Sequence, residues 1–379
     1  MGIHRFDITL EVLSGANMQI RSTFISSSIL KAISNDHDDA DRPSLRVKLL
    51  RTLVSFFSFF SLPLARYRAA DFLELRHNVW HLDEQEYANS FVLAKKAKKG
   101  KGRDSDLKPV GDLGYSGSTF FTTADGKFLI KSLPRRFEHE FFTHDLFDAY
   151  VAHMKSHPHS LLVRITDMVY TSLATLGGIL GTAPTHHIIM ENLLYGKDME
   201  ETDYRKQQWE TYDLKPNDYF FPERDIAGGK LAPESVKERL IDEFPDKIRI
   251  SANHKKELLD LLEADTKVLA ENNAVDYSLF LVRYPGPNVT DDDRENAPYI
   301  KSDAHPWRTG MVDADGNWIY RVIVLDFFWA KHKFHAKVMT GLVNSYNAVA
   351  DHGPMSITAN PAEYQERFLD MVRDIVIEV

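Results

Sequence analysis

The chain has 379 residues, with 46 Lys and Arg against 55 Asp and Glu and a formal net charge of −9. It contains no Cys, which excludes disulfide frameworks, Cys-based zinc or iron–sulfur sites and thiol nucleophiles. A hydrophobic share of 43% beside 27% charged residues excludes a wholly disordered chain, and the acidic surplus argues against general nucleic-acid binding, which uses a basic one.

The length suffices for two lobes, each with its own core. Met1–Arg5 carry no apolar h-region, so no secretory signal is expected, and Phe6 stands where a myristoylation motif needs Ser or Thr. Asp36, Asp38, Asp39 and Asp41 read as a loop. Thr52–Ala65 contains Phe56, Phe57, Phe59 and Phe60 but falls short of the about 20 residues of a membrane-spanning helix. Arg42, Arg46, Lys48, Arg51, Arg66 and Arg68 surround it, with no acid among them. Two readings stay open: a buried N-terminal helix whose basic residues face water, or a segment lying in a bilayer interface.

Lys95, Lys96, Lys98, Lys99, Lys101, Arg103 and Lys108 form a basic stretch of the kind that is usually a solvated linker. It ends just before the Gly-rich turn Gly114-Tyr115-Ser116-Gly117-Ser118, so it can also face phosphates. Ala124-Asp125-Gly126 lies between two β-prone runs and predicts a hairpin whose returning strand, Lys127 to Leu133, carries Lys131. Glycines that admit phosphate to the backbone, with a strand lysine as a fixed cation, are what ATP binding in a kinase-like lobe requires. The turn is not a Walker A loop, and a Gly-Ser hairpin is more often only a hairpin. Phe137, Phe141, Phe142, Leu146, Tyr150 and Val151 recur with helical spacing. Glu140 on that helix can pair with Lys131, although spacing alone favours an ordinary surface acid. Ile188–Leu194 reads as an apolar strand that can join two lobes and offer backbone groups to an adenine.

Asp213 and Lys215 stand two apart on one side of an extended segment. Glu257–Ala270 is an amphipathic helix ending near Asn272-Asn273, and Asp276 lies on the loop between it and the run Phe280–Val282. That is a frequent catalytic placement, although a turn Asp is commoner. Trp318–Leu325 is an apolar strand ending at Asp326. A carboxylate there is costly unless paired or metal-bound, which makes Asp326 the best Mg²⁺ ligand on physical grounds. Lys331, Lys333, His335 and Lys337 follow, mixed with Val338, Met339 and Leu342, a pattern that suits phosphate headgroups and lipid tails but equally a solvated loop. Asn360 and Pro361 predict the cap and first turn of a closing helix.

In this order the pieces resemble the phosphatidylinositol phosphate kinases, from about Tyr67 to the C-terminus. The resemblance is carried by Gly114-Tyr115-Ser116-Gly117-Ser118, Phe128-Leu129-Ile130-Lys131, Met190-Glu191-Asn192-Leu193-Leu194, Tyr212-Asp213-Leu214-Lys215, Asp276-Tyr277-Ser278-Leu279, Leu325-Asp326 and Asn360-Pro361 with Tyr364 and Arg367-Phe368. It implies an α+β, two-lobed, kinase-like (SAICAR-synthase-like) fold with antiparallel sheets and flanking helices. Residues 1–66 would be an N-terminal extension, 67–192 the N-lobe and 193–379 the C-lobe.

The family phosphorylates a phosphoinositide headgroup hydroxyl with ATP and Mg²⁺, which implies a cytoplasmic protein associating peripherally with a membrane surface. By resemblance Lys131 contacts ATP phosphates with Glu140 as its partner. Gly114, Ser116, Gly117, Ser118, Met190, Asn192, Leu193 and Lys215 complete the nucleotide site. Asp276 is the catalytic-loop acid and Asp326 the Mg²⁺ ligand. The loop from Phe327 to about Pro354 selects the lipid through Lys331, Lys333, His335 and Lys337. Two departures stand out: Pro216-Asn217 replace the family's Gly-Ser after Lys215, and Phe334 stands where Glu or Ala usually precedes His335. A phosphoinositide-binding scaffold without turnover, or a kinase acting on a soluble inositol phosphate or a protein, are the competing functions.

Overall fold

The computed structural model describes residues 21–34, 62–91, 107–111, 118–171, 183–197, 206–216, 240–241, 243–286, 305–331 and 359–379. The first half is built on six strands: β1 (Ala65–Arg66), β2 (Leu107–Gly111), β3 (Phe120–Thr123), β4 (Phe128–Ser132), β5 (Ile165–Tyr170) and β6 (His186–Glu191), in the order β1-β5-β6-β4-β3-β2. All neighbours are antiparallel. The β3–β4 turn falls at Asp125-Gly126 as the sequence predicts. Gly126 takes φ 75°, and the Asp125 carboxylate accepts bonds from Thr123 Oγ1 at 2.5 Å and Lys127 N at 3.1 Å.

Alternation along β4 and β6 gives this sheet two apolar faces. On one, Phe128, Ile130, Val169 and Ile189 pack against Ile25, Ile29, Leu30 and Ile33 of helix α1 (residues 21–34). The other faces the main core with α2 (Ala69–Glu74); α3 (Glu84–Asn89) lies with α1 on the first face, its Tyr87 ring 5.0 Å from that of Phe128, and α4 (Arg136–Phe141) and α5 (Phe147–Ser156) return to the main core. A π-helical turn, Phe142–Leu146, joins α4 to α5. Of residues 1–66 the described ones meet the first half: α1 covers its sheet, Ser28 Oγ accepts from Leu62 N at 3.1 Å, and β1 is a strand of it. Thr52–Ser61, the Phe-rich part of the basic segment, lies outside the described residues.

The second half holds the order β12-β13-β11-β7-β8, from β7 (Glu210–Leu214), β8 (Leu240–Ile241), β11 (Ser278–Pro285), β12 (Met311–Val312) and β13 (Trp318–Leu325). Two short pairs flank it: β9 (Ile248–Ile250) with β15 (Val376–Glu378), and β10 (Ala274–Val275) with β14 (Trp329–Ala330). The sheets are antiparallel as expected, apart from the short pairs β7–β8 and β9–β15, which run parallel. Helices α6 (Ala252–Glu271), α7 (Pro306–Thr309) and α8 (Pro361–Ile375) complete this half. Asn360 caps α8 by accepting from Ala362 N at 3.0 Å, and Tyr364 donates to the Tyr277 carbonyl at 2.6 Å.

Buried polar contacts fasten the halves together. Leu162 bridges to Val324, with Val163 N to Val324 O at 2.9 Å. Asp265 on α6 accepts from Ser160 Oγ and Leu161 N, each at 2.6 Å, and lies 2.6 Å from His153 Nε2 on α5. Arg308 on α7 pairs with Glu191 at the end of β6 and donates to the carbonyls of Ser160 and Leu162 at 2.5 and 2.9 Å. Arg321 on β13 reaches the Leu193 and Tyr195 carbonyls at 3.1 and 2.8 Å. The strand-to-strand linker is thus held from both ends. Among the described residues no helix is long and apolar enough to cross a membrane.

Candidate active site

Sheet register brings three of the singled-out polar residues to one edge of the second sheet. Ser278 pairs with Leu325, and Leu279 with Leu214, so Asp276, Asp326 and Lys215 all leave the sheet at the same end. A second ladder, Val275 with Trp329, ties the chain beyond the two aspartates. Asp276 and Asp326 both take left-handed backbone, φ 66° and 63°, which Asp tolerates better than most side chains.

Each aspartate meets a lysine. Lys215 Nζ lies 3.1 Å from Asp276 Oδ2. Lys131, on β4 of the first sheet, donates to Asp326 Oδ1 across the cleft. Lys131 is 5% exposed and its ammonium stands 5.7 Å from the Phe120 ring and 5.8 Å from the Phe328 ring. Those aromatic walls keep water away and strengthen its interactions with anions.

The helix acid that faces Lys131 is Glu138, not Glu140. Glu138 is buried, and burial raises its carboxyl above the ordinary glutamate value, opposed by the cations of Arg135 and Lys131 and reinforced by Asp326. Glu140 instead pairs with Arg136 one turn earlier, at 2.7 Å, on the outer face of α4. Spacing along the sequence did not separate two acids two residues apart; the buried side of α4 does.

Asn192 and Leu193 are occupied in shaping the linker. Asn192 N and Nδ2 donate to Lys127 O at 3.0 Å and Gly126 O at 2.8 Å, and the Leu193 carbonyl takes Arg321. Met190 is buried in the main core. Ser118 is buried just ahead of β3, where Thr119 N donates to Ser132 Oγ at 2.8 Å. Gly114, Ser116 and Gly117 lie outside the described residues, as do Lys333, His335 and Lys337. Lys331 is described, and its N–H donates to the Asn273 carbonyl at 3.2 Å. Trp329, at the root of that loop, packs edge-on to Phe137 at 4.6 Å, with the Arg135 guanidinium 5.2 Å from its ring.

The donors at the junction are carboxylate oxygens, and the Asp326 side chain is 36% exposed. Among the described residues no three His, Cys, Asp or Glu side chains form a metal cage. A hard cation bound by one or two carboxylates and by phosphate oxygens fits such a set, and Mg²⁺ is that kind of ion.

Comparison with known proteins carries the geometry further. Residues 101–305, just over half the chain, match the family model for phosphatidylinositol-4-phosphate 5-kinase. Over 201 residues the chain is 29% identical to a probable phosphatidylinositol phosphate kinase of Dictyostelium discoideum, covering 52% of this chain and 24% of that protein. Over 295 residues it is 26% identical to a phosphatidylinositol 4-phosphate 5-kinase of Plasmodium falciparum (isolate 3D7), covering 73% of this chain and 15% of that one. The chain spans a quarter or less of the length of either relative. With the matched span running from the basic stretch through Lys131, Lys215 and Asp276, the chain belongs to the phosphatidylinositol-4-phosphate 5-kinase family.

Proposed function

We propose that this protein transfers the terminal phosphoryl group of ATP to a hydroxyl of a phosphatidylinositol phosphate headgroup, at the cytoplasmic surface of a membrane. The two sheet-centred halves act as the lobes of a SAICAR-synthase-like kinase fold. One observation carries the reading: cation–carboxylate pairs from both sheets, Lys131–Asp326 and Lys215–Asp276, meet at one edge.

In this role Lys131 and Lys215 leave their aspartates to neutralise phosphate oxygens. Asp276 accepts the proton of the headgroup hydroxyl, whose oxygen bonds to the terminal phosphorus while the bond to the departing ADP oxygen breaks. Asp326 would hold Mg²⁺, which when bound supplies charge neutralisation at the phosphates. Lys331, Lys333, His335 and Lys337 supply the positive charge that recognises the lipid headgroup. Nearly all of the catalysis is positioning and electrostatics in a site shielded from water.

The test is label transfer from radiolabelled Mg-ATP to a panel of phosphoinositide vesicles, beside soluble inositol phosphates and a generic protein substrate. Label in a phosphoinositide supports the reading. Label only in a soluble inositol phosphate or in protein overturns its lipid part. Phosphoinositide binding without any label would make the chain a scaffold.

A further inference from the structure

Ser278 opens β11 two residues after Asp276. Across one ladder it faces Leu325, the residue before Asp326; across the other, the next pair along is Leu279 with Leu214, which sets Lys215 beside it. Alternation places Ser278 on the sheet face of Phe280, and Phe280 stands opposite Asp213, so Lys215 shares that face. The Ser278 side chain is 0% exposed, and its Oγ has no hydrogen-bond partner among the described residues. A buried hydroxyl left unpaired weakens the fold that contains it, and such groups are rare enough to need a cause. Two cation–carboxylate pairs stand at this end of the sheet, Lys131 with Asp326 and Lys215 with Asp276.

We infer that the Ser278 hydroxyl is a nucleotide-binding group that donates a hydrogen bond to a phosphate oxygen of the bound nucleotide. This rests on the reading above that the cleft takes Mg-ATP. A donor enclosed where two lysines and two aspartates meet is matched to an anionic oxygen. Phosphates that draw Lys131 and Lys215 off their carboxylates also uncover the serine. The lipid headgroup is the poorer match, because the lysines beside this strand end are the ones that the reading above gives to the nucleotide phosphates.

The test uses the full chain as wild type, Ser278→Ala and Ser278→Cys, the last keeping the volume but only a weak donor. Binding of Mg²⁺ with a non-hydrolysable ATP analogue is measured by calorimetry, and melting is measured without nucleotide. Ser278→Ala is expected to melt no lower than wild type while its Kd rises about tenfold, the usual scale for a hydrogen bond to a charged group. Ser278→Cys is expected to bind like the alanine variant. An unchanged Kd in Ser278→Ala overturns the assignment. So does a lower melting temperature, which would mean that the hydroxyl serves the fold. If wild type itself binds no nucleotide, the kinase reading fails and takes this one with it; normal binding by both proteins removes only the serine.

Discussion

Lys131 and Asp326 lie 195 positions apart in sequence and form a direct ion pair across the cleft between the two sheets. The lysine comes from the middle of an apolar strand and the aspartate from a left-handed residue just past the end of another. Neither strand would place a charge there for the sake of packing alone, since desolvating an ammonium is unfavourable without a counter-charge. The pair leaves the lysine neutralised until a stronger anion competes for it.

Lys131→Ala and Asp326→Asn are each expected to abolish phosphoryl transfer while leaving the protein folded. Asp326→Asn strands a nearly buried ammonium against a neutral amide. The loss of stability should stay below the ~3–5 kcal/mol of a fully enclosed pair, because the aspartate is about a third open to solvent and is screened there. Urea denaturation measures the first effect and label transfer the second. Undiminished transfer by either variant would remove these residues from the reaction.

Glu138 and Glu140 should behave oppositely. Burial holds the Glu138 carboxyl above its ordinary value, so the folded state binds that proton more tightly than the unfolded state. Stability contributed by the protonated form is complete below the ordinary glutamate range and declines as pH rises through the raised folded value. Wild type should therefore lose melting temperature relative to Glu138→Gln as pH climbs through that window. Glu140→Ala, which opens an exposed pair with Arg136, should change stability by less than about 0.5 kcal/mol at any pH. Parallel melting curves for wild type and Glu138→Gln between pH 4 and 7 would contradict the burial effect.

Much of this architecture was legible in the sequence, and the exceptions have physical causes. Asp125-Gly126 announced its hairpin and Trp318–Leu325 its strand, because turn chemistry and apolar runs act locally. The Glu257–Ala270 pattern found its helix, which begins earlier, at Ala252 behind the cap Ser251. Glu138 was missed because helical phase depends on where the core lies, and the π-helical turn after α4 shifts that phase further. The parallel β9–β15 pair joins segments more than 120 residues apart and leaves no local trace. The bonds of the Asn192 side chain to the hairpin turn and to Leu194 N join segments that no local pattern links. Arg308 carried no motif at all; only the tertiary structure reveals its partners.

Arg308 is 1% exposed and serves Glu191 on one segment and the carbonyls of Ser160 and Leu162 on another. Arg308→Met keeps the volume but leaves the Glu191 carboxylate buried and uncompensated. A loss of about 3–5 kcal/mol is expected in chemical denaturation. Arg308→Met with Glu191→Gln should recover part of it, because the double variant no longer buries a lone charge. Strictly additive losses would mean that Arg308 acts through its carbonyl bonds alone.

The loop cations give the sharpest separation of lipid from nucleotide. Lys331 follows Trp329, which α4 holds in place, and its N–H donates to the Asn273 carbonyl. Each lysine near an anionic membrane contributes about 1 kcal/mol, and three together about 3. Replacing Lys331, Lys333 and Lys337 with Ala should cut transfer to anionic vesicles by roughly a hundredfold, as three lost surface contacts of that size imply. Affinity for the nucleotide should hold within about twofold, and the wild-type rate should fall with added salt more steeply than the variant's. Equal losses in lipid turnover and nucleotide binding would make the loop part of the nucleotide site or of the fold.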